Sequence, residues 1–140
     1  MNKNVSITTI QKPFDLSSIE VKAPFICLLY ASQEDVTDDE MMSVANWLVD
    51  SGCRYAVCAG LKCSAWHDTI DTADISRDPN NKNLIMTTWH ENQTSEDVVW
   101  YWLNLANFED IALENYLALL VGTSNVIEEK IQNAVKNNDL

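Results

Sequence analysis

The chain has 140 residues, an apolar fraction of 46% and a formal net charge of −12. That length fits one domain with a real core, and the charge argues against nucleic acid and anionic membrane as partners, since both are polyanions. No run reaches the roughly 18 apolar residues needed to cross a bilayer, the start MNKNVSITTIQKP has no signal-peptide-like stretch, and three glycines with three prolines exclude a low-complexity chain.

In chain order, the alternating VSITTI (5–10) can add an edge strand within an N-terminal segment, 1–22. APFICLLYA (23–31) reads as a buried strand, in which Cys27 serves as a small hydrophobe. TDDEMMSVANWLVDSG reads as a helix, with Met41, Val44, Ala45 and Leu48 at i, i+3, i+4, i+7. Thr37 and Glu40 form a capping box, Val36 and Met41 a hydrophobic staple, and Gly52 ends the helix. RYAVCAG (54–60) is the next strand, and SAWHDTIDTADI (64–75) is a short helix with Trp66, Ile70 and Ala73 on one side. RDPNNKN is a turn and LIMTTWH (84–90) a third strand.

TSEDVVWYWLNLANF (94–108) follows as a helix, with a Thr94–Asp97 cap and Val99, Trp102, Leu103 and Ala106 inward. NYLALLVG (115–122) is a fourth strand. NVIEEKIQNAVKN (125–137) closes the domain, capped by Asn125, with Ile127, Ile131, Ala134 and Val135 inward. Continuous apolar strands imply burial on both faces, as parallel sheets require. Strand–helix alternation four times over predicts a single α/β domain, 1–140, built as a three-layer sandwich around a mostly parallel sheet.

The strings GCRYAVCAG, CSAWHD and MTTWHE, in this order, resemble an uncharacterised family of small bacterial α/β domains. The resemblance covers the middle and C-terminal parts of the chain. It implies a bacterial source and assigns neither an activity nor a functional residue.

In open α/β sheets, ligands bind beyond the carboxyl ends of the strands. That edge is expected at Ser32–Asp39, Leu61–Ser64, Glu91–Asp97 and Thr123–Asn125. None of these is glycine-rich, and a phosphate at a helix start would meet Asp38, Asp39, Glu96 or Asp97, so no nucleotide or other cofactor is expected. Lys and Arg are missing between Ala23 and Cys53 and between Asn83 and Glu129, while acids are frequent there. Carboxylates in a first turn complement the helix dipole. Together, Glu34, Asp35, Asp38, Asp39, Glu91, Glu96 and Asp97 can also steer a basic protein. In the run WYW (100–102), Trp102 fits the inward stripe. Trp100 or Tyr101 must look elsewhere, either under a wide buried face or toward a partner or second copy.

The chain's two histidines sit in an echo, Trp66-His67-Asp68 and Trp89-His90-Glu91. Cys63, His67 and Asp71 are spaced i, i+4, i+8, and a thiol beside a helix start suggests a nucleophile with a base and an orienting acid. A stripe on one short helix is poor triad geometry, however. Cys58, Cys63, His67 and His90 offer a zinc set by residue type, but C-x4-C-x3-H lacks tight knuckles, so no metal is expected. The echo is read as similar packing, with His67 a surface partner of Asp71 and His90 a strand-end residue. The expected protein is cytoplasmic and without disulfides, a non-enzymatic binding module of immunity or antitoxin type for a basic protein partner. Its rivals are a hydrolase or transferase on the Cys/His residues and a homo-oligomeric component, such as a homodimer, joined through the Trp100/Tyr101 helix.

Overall fold

The computed structural model describes residues 3–137. The elements run β1 (Asn4–Ile10), β2 (Phe25–Ala31), α1 (Asp38–Ser51), β3 (Cys53–Gly60), α2 (Cys63–Arg77), β4 (Met86–His90), α3 (Ser95–Asn104), β5 (Asn115–Val121) and α4 (Asn125–Asn137). The five strands form one sheet in the order β1-β5-β2-β3-β4, and every pairing is parallel. The expected edge strand is β1, in register with β5 from Asn4 opposite Asn115 to Ile10 opposite Val121.

Period-two alternation divides the core into two layers. Phe25, Cys27 and Leu29 of β2, with Leu117 and Leu119 of β5, face α1 and α2. Ile26 and Leu28, with Ala118 and Leu120, face α3 and α4. The middle strands are buried on both sides, which is why their sequences run apolar without a break. Between β1 and β2 the crossover contains no helix. Residues 11–24 lie as a strap whose Phe14, Leu16, Ile19 and Val21 pack on the α1/α2 layer. Lys12 ties this strap to Asp35 at 3.6 Å and to Glu40 at 3.2 Å.

The capping box of α1 is formed as the sequence predicts. Thr37 accepts from the Glu40 amide, the Glu40 carboxylate accepts from the Thr37 amide, and Gly52 ends the helix in the left-handed region. Other boundaries move for local reasons. The third helix stops at Asn104, because Asn107 folds the chain back: its side chain accepts from the amides of Phe108 and Leu113 and donates to the Leu113 carbonyl. Strand β4 begins at Met86, because the Ile85 amide is spent on the Asp74 carboxylate at 3.0 Å rather than on the ladder. Helix α2 is longer than read and already includes Cys63. Among the described residues no helix is long and apolar enough to cross a membrane.

Candidate functional site

Parallel strands put all their carboxyl ends on one edge, and the turns that leave β3 and β4 there, with Tyr30 near the end of β2, enclose a shallow cleft of about 360 Å³. Its floor is Tyr30, Ala59 and Gly60; one wall is Leu61–Ser64 and the other His90–Gln93. Gly60 is fixed by geometry. Its φ is +85°, and a Cβ there would sit 2.2 Å from the Ala31 carbonyl oxygen, which accepts from the Leu61 amide. Lys62 follows at φ 56° and offers α2 no side-chain cap.

The Trp-His echo resolves along β4, whose side chains alternate between layers. Trp89 faces α2, and the His67 ring packs edge-on against it with ring centroids 4.6 Å apart. His90 faces α3, 4.5 Å from the Tyr101 ring, and its nitrogens are held by Thr88 at 2.9 Å and Gln93 at 3.0 Å. The two stretches therefore touch, His67 of one against Trp89 of the other, while their histidines lie on opposite faces of the sheet. Trp66 is wholly in the core. His67 is less of a surface residue than the sequence suggests, with its side chain 14% exposed. His90 is buried.

This placement separates the proposed chemical sets. Each step of four helical residues advances about 40° beyond a full turn, so a stripe at i, i+4, i+8 drifts. Cys63 points into the core, and Asp71 emerges at the flank and accepts from Thr87. Both ring nitrogens of His67 meet carboxylates, Asp68 at 2.9 Å and Asp71 at 3.6 Å, which leaves neither facing the thiol. Of the zinc candidates, Cys58, Cys63 and His67 lie on the α1/α2 side and His90 on the other. Among the described residues no group of three or more His, Cys, Asp or Glu is arranged to hold a metal. All four cysteines are free and buried. Burial pushes the Cys53 thiol up to about 12 and raises those of Cys27 and Cys58 as well, so these three behave as apolar filling.

The acids divide into two kinds. Asp35 and Glu40 are committed to Lys12, and Glu40 also to the cap of α1. Hydrogen bonds hold both carboxyls below their ordinary range, from the Gln33 side chain for Asp35 and from the Thr37 amide for Glu40. Glu34, Asp38, Asp39, Glu91, Glu96 and Asp97 are exposed, and among the described residues none of them is paired with a cation of the chain. The loops after β2 and β4 flank the turn after β3, about 10 Å apart at two strand spacings. Their helices start on opposite layers, so Asp38 and Asp39 stand on one side of the sheet edge and Glu96 and Asp97 on the other.

Of the WYW run, Trp102 is buried and its indole donates to the Ile26 carbonyl. Tyr101 is half-buried, with its hydroxyl 2.8 Å from that of Tyr55. Trp100 is 55% exposed and lines a groove between α3 and α4 with Glu96, Lys130 and Asn133. Tyr30 and Gln93 are cleft residues that the sequence does not single out, because neither periodicity nor a motif marks them.

The molecule is thus an open parallel α/β sandwich with a shallow, acid-flanked cleft at the carboxyl edge of its sheet. Within that class the chain belongs to the family described as domain of unknown function DUF7684, whose model matches residues 5–138. No curated protein and no solved structure matches the chain.

Proposed function

We propose that this chain is a non-catalytic binding module that docks a basic protein partner across the carboxyl edge of its sheet, in the manner of an immunity protein or antitoxin. The observation that carries this reading is the set of six exposed carboxylates that have no cation partner among the described residues, Glu34, Asp38, Asp39, Glu91, Glu96 and Asp97, ranged on both sides of one edge. Unpaired carboxylates lose no internal partner when a cation approaches, and several together raise the association rate over a Debye length of about 8 Å. Trp100, one helical turn beyond Glu96 and largely exposed, supplies an apolar anchor beside them. Tyr101 is occupied within the molecule and is not part of the proposed surface. Four free thiols fit a reducing compartment such as the cytoplasm. A hydrolase or transferase reading has no observation in its favour, since His67 is turned to carboxylates and His90 to Thr88 and Gln93.

The test is a quadruple reversal, Glu34→Lys, Asp38→Lys, Glu91→Lys and Asp97→Lys, used beside the wild type to capture proteins from the native host. A basic partner retained stoichiometrically by the wild type should associate with the folded variant at least about tenfold more slowly, and the rate should lose its salt dependence. An unchanged on-rate and salt slope would reduce these acids to solubility and helix-dipole roles.

A further inference from the structure

At the amino edge of the sheet, opposite the docking edge, the ends of α1 and α2 meet the starts of β2 and β3 around a cavity of about 530 Å³. Ala23, Pro24, Val49 and Cys53 give it apolar wall. Asp50, Asp74 and Asp78 bring carboxylates to it, and Arg54 and Arg77 bring guanidinium groups. Acids are unfavourably placed here by the helix dipoles, because a helix C-terminus carries partial negative charge and favours cations. The last turn of α1 has no basic residue, and that of α2 has Arg77 alone.

Most of these charges are committed within the molecule. Arg77 is tied through Nε and Nη2 to the two oxygens of Asp50. Both oxygens of Asp78 accept from the turn after α2, one from the Lys82 amide and one from the Asn83 amide. Arg54 donates to the Leu84 carbonyl, and its guanidinium lies 5.4 Å from the Phe108 ring, which packs in the α3/α4 layer. Asp74 is the exception. It is 4% exposed, its Oδ2 accepts from the Ile85 amide, and its Oδ1 has no partner among the described residues. Ile85 is outside the cavity wall and Asp74 is part of it, so the oxygen turned away from Ile85 is the one that faces the cavity. Two wall residues feel this carboxylate. It adds to the rise that burial gives the Cys53 thiol, and Arg54 opposes the rise that burial gives Asp74.

We propose that this cavity binds the primary ammonium group of a small alkylamine, with Asp74 Oδ1 as the anionic acceptor. A buried carboxylate oxygen without a partner is costly, and a donor that is also a cation supplies both the missing hydrogen bond and the missing charge. Other cations match less well. A metal ion needs several oxygens that converge on one point, and among the described residues no three His, Cys, Asp or Glu are so arranged. A guanidinium engages a carboxylate through two parallel bonds, and Oδ2 is already committed to Ile85. A quaternary ammonium has no N–H to give. A primary ammonium has three donors, one for Oδ1 and two for Asp78 and the last carbonyls of α2. Its methylenes then lie against Pro24, Val49 and Cys53. The volume falls within the roughly 300–1,000 Å³ usual for small-molecule sites. The site and the six acids of the docking edge are at opposite ends of the strands, so neither reading depends on the other.

The experiment is a titration of the full chain with n-butylammonium chloride, followed by backbone amide shifts in NMR, with tetramethylammonium chloride at equal ionic strength as control. Saturable shifts are expected at Cys53, Arg54, Ile85 and the end of α2, half-complete at about 1–10 mM, and none with tetramethylammonium. Asp74→Asn keeps an acceptor for Ile85 and turns an NH2 group to the cavity. It should weaken binding at least about tenfold at an unchanged circular dichroism spectrum. Asn83→Lys leaves Asp74 in place and sets a tethered ammonium on the exposed rim, and it should weaken binding by about as much. Three results would each overturn the proposal: shifts that never saturate, tetramethylammonium matching butylammonium at the same amides, or either folded variant binding butylammonium as tightly as the wild type.

Discussion

Asp74 stands where the stripe of Ile70 and Ala73 asks for an apolar residue, and it is only 4% exposed. One carboxylate oxygen accepts from the Ile85 amide, while the other, Oδ1, has no partner among the described residues. Burial raises its pKa above the ordinary aspartate value, the Ile85 amide opposes this, and the nearby Asp78 and Asp71 add to the rise. The native state therefore holds a proton more tightly than the unfolded chain does. The stability this contributes is complete below the ordinary value of 3.8 and is lost as pH rises through the elevated native value. Asp74→Asn keeps an acceptor for Ile85 and removes the buried charge. We expect it to raise unfolding stability at neutral pH by about 1 kcal/mol, a gain that should close as denaturation is repeated at falling pH. A variant that is destabilised equally at every pH would show that the carboxylate is satisfied by a cation or water instead.

At the scale of elements, the turns at the carboxyl edge are set by single residues. Glu40 completes the cap of α1 and also anchors the β1–β2 strap through Lys12, so one carboxylate holds two elements. Gly60 lets β3 pass under the end of β2 before α2 begins, at a φ that favours glycine and with the Ala31 carbonyl directly beneath. Gly60→Ala should cost at least about 2 kcal/mol, from left-handed strain and backbone collision together. Chemical denaturation measures it, and a loss below half that would mean that the turn relaxes freely. The expected readout also includes faster amide exchange at Leu61, whose bond to Ala31 would open first.

For the whole molecule, a net charge of −12 on 140 residues is a source of self-repulsion that folding concentrates. Among the described residues, five carboxylates have a lysine, arginine or histidine beside them: Asp35, Glu40, Asp50, Asp68 and Asp71. Of the others, Glu34, Asp38, Asp39, Glu91, Glu96 and Asp97 repel one another across the edge formed by the strands' carboxyl ends. Raising salt from about 0.01 M to 0.15 M shortens the screening length from about 30 Å to 8 Å, so the melting temperature should rise over that range. A melting temperature that falls with salt would mean that attractive pairs such as Lys12 with Asp35 and Glu40 outweigh the repulsion.

The sequence by itself determined the layers. Strands buried on both sides must be apolar throughout, and helices packed on one face must repeat near 3.6, so strand–helix alternation was legible down to the Thr37–Glu40 box and the Gly52 stop. It also determined the carboxyl edge, because parallel strands joined by helices send every such turn to one side. Tertiary structure alone decided strand order, and with it which turns are neighbours: β5 inserts between β1 and β2, and β3 separates the two acidic loops. Tertiary structure also decided orientation. The similar strings around His67 and His90 carry no sign that one imidazole meets Trp89 on the α2 side and the other Tyr101 on the α3 side. Helical drift turned Cys63 inward and Asp71 outward, and Asn107 and Asp74 ended elements by side-chain bonds to the amides of Leu113 and Ile85, which no periodicity marks. Periodicity is a local property of a chain and is written along it. Pairing between distant segments depends on which surfaces meet, and only the packed fold fixes that.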